Sequence, residues 1–90
     1  MLIIRRDRNG LEKVVNFSNI IEMYPFYGFV VASIIGRKES DVIKLGYYGT
    51  DEEARRVIGK ILRNFSEIKY CLATECYSHF IFTMPKEEEV

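Results

Sequence analysis

The sequence predicts an α+β fold, in which an antiparallel β-sheet of about five short strands carries one amphipathic helix and is followed by a short C-terminal strand. Three observations support this class. The first half of the chain consists of short apolar runs separated by turn residues. One later segment, residues 50–65, has the apolar spacing of a helix, and a last short apolar run ends at Pro85. Strands followed by a single helix are typical of α+β domains.

The helix has the clearest start signal in the chain. Thr50 and Glu53 have the spacing of a capping box, in which the threonine oxygen accepts the Glu53 amide and the glutamate reaches back. Apolar residues then recur at i, i+3, i+4, i+7, i+8 and i+11, at positions Ala54, Val57, Ile58, Ile61, Leu62 and Phe65. Such a single apolar face requires a sheet to pack on. The pattern extends weakly past Phe65, so the helix end stays open. The structure of Ile68 to Tyr77 stays open as well, because this segment has no clean period.

The predicted strands share apolar or alternating character. They are Leu2–Ile4, Lys13–Phe17, Ile20–Tyr24, Phe29–Ile35, Asp41–Tyr48 and, after the helix, Tyr77–Met84. The Asn9-Gly10 pair predicts a hairpin turn, and Pro25–Gly28 predicts a second turn. Phe29–Ile35 is the most apolar run and is predicted as a central strand buried on both faces.

Strict alternation in Asp41–Tyr48 places three side chains on one side of that strand, Ile43, Leu45 and Tyr47. The other side then holds Val42, Lys44 and Tyr48.

Length predicts one domain, and two cysteines without a disulfide framework predict a cytoplasmic location. The 90 residues are 48% hydrophobic and 29% charged, with a formal net charge of zero. Residues 1–85 are predicted to form a single domain, and residues 86–90 a charged, solvated and flexible tail. No apolar run approaches the ~20 residues of a transmembrane helix. A neutral chain has no global field to recruit nucleic acid, so neither nucleic acid nor a membrane is a predicted partner.

Metal and cofactor sites are not predicted. Cys71, Cys76 and His79 form a C-x4-C-x2-H pattern, with Glu75 as a conceivable fourth ligand. Structural zinc sites need four ligands with at least one closely spaced cysteine pair, and the second pair is missing here. Buried structural cysteines and an incidental histidine are the favoured interpretation.

The sequence also predicts that the chain is not an enzyme. His79 is its only histidine, and no serine or cysteine stands in a nucleophile motif. Gly46 and Gly49 precede the helix start, where a phosphate could bind, but the acidic first turn, Asp51 to Glu53, would repel it.

Aromatic residues give the best candidates for binding, since the chain has six Tyr and six Phe. The predicted binding residues flank two turns and are Tyr24, Phe26, Tyr27, Tyr47 and Tyr48. Aromatics are common anchors of protein interfaces, so the predicted partner is a protein or a second copy of the chain in a homo-oligomer.

Two alternatives stay open. A small-ligand or nucleotide-signal pocket would use Tyr47 and Tyr48 together with basic residues near the N-terminus. A weak nucleic-acid platform would combine base stacking with basic residues at Arg5, Arg6, Arg8, Arg37 and Lys38.

Three segments resemble a family of small uncharacterised proteins from phages and prophages of Firmicutes. They are LIIRRDRNGLEKVVNFSNI, LGYYGTDEEARRVIGKI and FIFTMPKEE, similar to the family's "vNFdnI", "LGxYxTeerAkeVLxeI" and "yxMPeE" patterns. The resemblance implies a β-rich N-terminal half with one helix packed on it, and an accessory role in phage or prophage biology. It implies no activity and no functional residue.

Overall fold

The computed structural model describes residues 1–6, 12–38, 41–68 and 80–90. Its elements are β1 Leu2–Arg6, β2 Glu12–Asn16, β3 Ile20–Phe26, β4 Phe29–Ile34, β5 Val42–Tyr47, α1 Asp51–Ile68 and β6 Ile81–Thr83. One-turn 3-10 helices span Phe17–Asn19 and Glu87–Glu89. The predicted α+β class, with one helix packed on strands and a short C-terminal strand, is confirmed.

The six strands form two three-stranded sheets. The first sheet has the order β2-β1-β6 and the second has the order β3-β4-β5. Within the first sheet β1 is antiparallel to β2 but parallel to β6, with Leu2 opposite Ile81. Backbone hydrogen bonds extend this parallel pairing at both ends, from Leu2 N to Phe80 O and from Met84 N to Ile4 O. The second sheet is entirely antiparallel.

The core lies between the inner faces of the two sheets and the apolar face of α1. Its buried residues are Ile3, Val30, Ala32, Leu45, Tyr48, Ala54, Val57, Ile61 and Met84. The helix buries a narrower stripe than the sequence predicts, because Leu62 is 50% exposed. The predicted N-cap is confirmed, since the Glu53 amide donates to Thr50 Oγ1 at 3.2 Å.

The turn predicted at Pro25–Gly28 is shorter than expected. Pro25 and Phe26 still belong to β3, and Tyr27 and Gly28 alone connect β3 to β4. Both turn residues have positive φ, 48° and 82°, as a two-residue type I′ hairpin requires. Pro25 is tolerated in β3 because this strand lies at the sheet edge, where a missing N–H can face away from β4.

A β-bulge overturns the alternation predicted for β5. Lys44 lies opposite Val31 and Gly46 lies opposite Val30, so Leu45 is the extra residue between two paired positions. The register change leaves Leu45 buried in the core but turns Tyr47 to the outer face, the face of the second sheet that points away from the core.

In the C-terminal residues 86–90, predicted as a charged, solvated and flexible tail, Lys86 to Glu89 are exposed. The 3-10 helix Glu87–Glu89 brings Val90 against the core.

Other predictions fall outside the described residues. They concern the Asn9-Gly10 turn, the first residues of the last strand at 77–79, and Cys71, Glu75, Cys76 and His79.

Candidate protein-binding surface

Aromatic side chains cluster on the outer face of the second sheet and on its β3–β4 turn. We call this cluster, Tyr24, Phe26, Tyr27, Phe29 and Tyr47, the aromatic face. The strand register places Phe26, Phe29 and Tyr47 in one row across the three strands. The exposed fraction is 52% for Phe26, 78% for Tyr27 and 41% for Tyr47, while Tyr24 and Phe29 are half-buried.

Two ring contacts join four members of the aromatic face in pairs, and the strand register sets Phe26 opposite Phe29. Phe29 and Tyr47 have their ring centroids 4.7 Å apart in a tilted arrangement. Phe26 and Tyr27 are edge to face at 4.6 Å. Lys44 Nζ lies 4.5 Å from the Phe29 ring centroid, a cation–π distance. Such mutual contacts hold the rings in position before any partner arrives, which lowers the entropy cost of binding.

The turn that presents Tyr27 is fixed to the start of α1. Gly28 N donates to Asp51 Oδ1 at 2.8 Å, and Gly28 O accepts the Tyr48 amide at 2.7 Å. A Cβ at position 28 would lie 2.7 Å from the Gly49 carbonyl carbon, so only glycine allows this close approach. The carboxylate of Asp51 therefore positions the β3–β4 turn as well as favouring the helix start.

Tyr27 itself has an unfavourable backbone conformation. Its φ of 48° is in the left-handed region, which costs a non-glycine residue roughly 1–2 kcal/mol. Its ring is the most exposed of the large hydrophobic side chains among the described residues. Asparagine or glycine would suit this turn position better, so the strain points to a role for the exposed ring.

Tyr48 lies in the core, although the sequence predicts it beside Tyr47 in a binding site. Its side chain is 1% exposed, and its hydroxyl donates to Pro85 O at 2.9 Å. Burial, together with the charge of Glu89, raises the pKa of Tyr48 from 10.0 to about 12. A surface partner does not reach this ring. Tyr48 contributes by connecting the C-terminal segment to the turn that carries Tyr27.

The structure brings together four of the five predicted binding residues, Tyr24, Phe26, Tyr27 and Tyr47. Phe29 is a further member that the sequence assigns to a strand buried on both faces. A two-residue turn at Tyr27-Gly28 would have predicted this membership, because the residues that flank such a turn lie directly opposite each other. Phe26 and Phe29 are therefore cross-strand neighbours.

Among the described residues, two concave regions adjoin the second sheet. A groove of about 170 Å³ between β3 and α1 is lined by Phe17, Ile20, Ile21, Glu22, Met23, Ile58 and Leu62. A more polar pocket of about 370 Å³ is lined by Ile21, Glu22, Tyr24, Ser33, Ile34, Arg37 and Lys38. The polar pocket shares Tyr24 with the aromatic face.

Other classes of site find little support in the described part of the chain. There, no three His, Cys, Asp or Glu side chains are grouped so as to hold a metal ion. No described helix has the length and apolar character needed to cross a membrane. The outer face of the first sheet also exposes aliphatic residues, including Leu2, Val14 and Ile81. Residues 7–11 and 69–79, which adjoin its strands, lie outside the described ranges, and we base no site on that face.

Comparison with protein-family models, with curated proteins and with solved structures finds no match to the chain.

Proposed function

We propose that the chain is a non-enzymatic protein-binding module whose partner packs on the aromatic face. The observation that carries this proposal is the set of exposed aromatic rings at Phe26, Tyr27 and Tyr47, on the outer face of the second sheet and its β3–β4 turn. Aromatic anchors surrounded by polar residues are typical of the energetically important centre of protein interfaces. A cytoplasmic accessory role in phage or prophage biology agrees with the family resemblance and belongs to the same proposal.

The rigid setting of these rings supports protein binding more than catalysis. Lys44 on this face already lies over the Phe29 ring, and Arg37 and Lys38 line the polar pocket at Tyr24. The face holds no described histidine or cysteine to act as acid, base or nucleophile. Aromatic rings that contact one another provide contact area at low entropy cost, which suits a partner with a complementary apolar patch.

The proposal is tested by photo-cross-linking from single positions. A photoreactive phenylalanine analogue at position 27, introduced into the chain in its native cell extract, is expected to cross-link a specific protein. The matched control carries the analogue at Leu62, which is 50% exposed on α1 and lies away from the aromatic face. Cross-linking from position 62 and not from position 27 would place the interface at the α1 groove and contradict the proposal.

A second variant separates binding from folding. Tyr27→Asn creates the Asn-Gly pair that type I′ turns prefer, so we expect the free energy of unfolding to stay the same or rise by up to about 1 kcal/mol. The Tyr27→Asn variant, immobilised beside the wild type, is expected to capture the cross-linked protein at least tenfold less efficiently. Equal capture by both chains would show that the exposed ring has no part in binding.

A small anionic ligand is a second candidate, supported by the polar pocket beside the aromatic face. Its lining combines the Tyr24 ring with Arg37 and Lys38, a pairing suited to a base and its phosphate. Thermal unfolding with adenosine and guanosine mono- and dinucleotides tests it. A ligand at one hundred times its dissociation constant stabilises by about 2.7 kcal/mol, so an unchanged melting temperature at millimolar nucleotide would exclude this candidate.

A further inference from the structure

The outer face of the second sheet resembles one half of a β-sandwich core. Its central strand β4 contributes Phe29 and Val31 to this face, and Val31 is only 1% exposed although it lies outside the main core cluster. By strand register, Val31 has Tyr24 on one side and Lys44 on the other. A sheet with apolar residues on both faces is typical of a layer covered on both sides.

Charges of opposite sign lie on the two edge strands of this face. Glu22 is on β3 and Lys44 is on β5, and their positions differ by two residues along β4, since Glu22 pairs with Ser33 and Lys44 pairs with Val31. Both side chains are exposed. A surface with a cation at one edge and an anion at the other complements a copy of itself when a two-fold rotation exchanges the edges.

The edges of the second sheet are poorly suited to strand addition. Pro25 removes one N–H from β3. On β5 the Lys44 carbonyl already accepts a hydrogen bond from Arg5 Nη1 at 2.8 Å. An approaching chain is therefore favoured to pack on the face of the sheet and not along its edges.

We propose that the occupant of the aromatic face is a second copy of this chain, packed face to face around a two-fold axis that runs along the strands. This rotation sets β3 of one copy over β5 of the other and brings each Glu22 near the Lys44 of the facing copy. The Phe26, Phe29 and Tyr47 rows then interdigitate as the inner layer of a six-stranded sandwich with sheets ~10 Å apart. The inference rests on the proposed function, for which it names the partner.

The size of the face sets the strength of the association. Three strands at ~4.8 Å spacing and about six residues at ~3.4 Å rise give a footprint of roughly 14 by 20 Å. With the turn rings included, the two copies would bury on the order of 1,000 Å² in total, the low end of specific interfaces. We therefore expect a monomer–dimer equilibrium with a dissociation constant in the micromolar range.

Analytical ultracentrifugation between 5 μM and 500 μM tests the inference with charge-reversed variants. Glu22→Lys and Lys44→Glu are each expected to raise the dissociation constant of the dimer about tenfold. In each variant homodimer, residue 22 of one copy and residue 44 of the other carry the same charge, and the two-fold axis repeats this repulsive pair. Mixing the two variants restores both attractive pairs, so the mixture is expected to associate within about threefold of the wild type. Tyr47→Ser is expected to weaken association in every combination, and circular dichroism checks that each variant is folded.

The outcomes distinguish this inference from the proposed function. A wild-type chain that stays monomeric up to 500 μM, or two charge variants whose mixture does not recover, overturns the dimer. If the chain is monomeric while position 27 still cross-links a different protein, the dimer fails and the protein-binding function stands. If position 27 cross-links nothing and the chain is monomeric, the dimer and the protein-binding function both fail.

Discussion

At the scale of single residues, the tyrosine pair Tyr47-Tyr48 illustrates how neighbours in sequence divide their roles. Tyr47 points to the outer face and contacts Phe29, whereas Tyr48 is in the core and donates its hydroxyl proton to Pro85 O. The first ring is available to a partner, and the second holds the scaffold together. The sequence predicts both tyrosines as binding residues. The bulge in β5 that places them on opposite sides has no local sequence signal.

Replacing Tyr48 by phenylalanine should lower stability in a pH-dependent way. Near neutral pH the loss of the bond to Pro85 O is expected to cost about 1 kcal/mol. The folded-state pKa of Tyr48, about 12, lies above the ordinary value of 10.0, so the folded state holds the phenolic proton more tightly than the unfolded state. Its contribution is therefore complete below pH 10 and is lost as the pH rises toward 12.

Urea unfolding of the wild type and Tyr48→Phe at several pH values between 7 and 11.5 measures this. The stability difference between the two chains should narrow or reverse above pH 10. A difference that stays constant across the range would mean that the Tyr48 hydroxyl ionises equally easily in both states.

At the scale of elements, the predictions made from sequence succeed where the signal is local. The capping threonine of α1 and the central place of β4 follow from spacing and apolar content. The division of the strands between two sheets, and the parallel pairing of β6 with β1, depend on contacts between distant segments. No pattern within a strand reveals which distant strand will lie beside it.

Gly46 and Gly59 differ in the space around them, so an alanine at each position is expected to change the stability in opposite directions. Gly59 lies in α1, and a Cβ added there would meet no atom within 4 Å. Gly59→Ala is therefore expected to raise the free energy of unfolding by about 1 kcal/mol, the difference in helix propensity. A Cβ at Gly46 would lie 2.8 Å from Tyr48 Oη, and that ring is buried, so Gly46→Ala is expected to cost about 1–3 kcal/mol.

Chemical unfolding of the two variants and the wild type decides this prediction. Destabilisation by Gly59→Ala would indicate that an additional element packs on that side of the helix. Unchanged stability of Gly46→Ala would indicate that Tyr48 can move away from β5 without loss.

At the scale of the whole molecule, the C-terminal segment completes the fold. It contributes Met84 and Val90 to the core region and places Pro85 O on Tyr48. The glutamate run of this segment predicts solvation, and its glutamates are exposed. The sequence gives no sign that the single apolar residue that follows them, Val90, packs against the core. The packing of an apolar residue at a chain end can be predicted only when the core surface that it contacts is known.

Val90→Ser is expected to destabilise the fold by about 1 kcal/mol, since Val90 is partly buried against the core. For a domain of this size that corresponds to a drop of roughly 4–8 °C in melting temperature. Glu88→Ser, in the same 3-10 helix but exposed, is the control and should leave the melting temperature nearly unchanged. Equal melting temperatures for Val90→Ser and the wild type would support the solvated tail that the sequence predicts.

The proposed protein partner binds the aromatic face, on strands β3, β4 and β5 and the β3–β4 turn. Phenylalanine provides internal probes, because Phe26 and Phe29 belong to this face. Phe17 and Phe65 do not belong to it, since Phe65 lies in α1 and its ring centroid is 4.6 Å from that of Phe17. Fluorine NMR of the chain labelled with 4-fluorophenylalanine, with resonances assigned by single Phe→Leu variants, reports on both regions at once.

The decisive measurement is this fluorine spectrum during titration with the protein that cross-links at position 27, or with the unlabelled chain if that protein is a second copy. The account predicts that the Phe26 and Phe29 resonances shift or broaden in proportion to the bound fraction, while those of Phe17 and Phe65 stay in place. Binding that moves the Phe17 and Phe65 resonances and leaves Phe26 and Phe29 unchanged would contradict it.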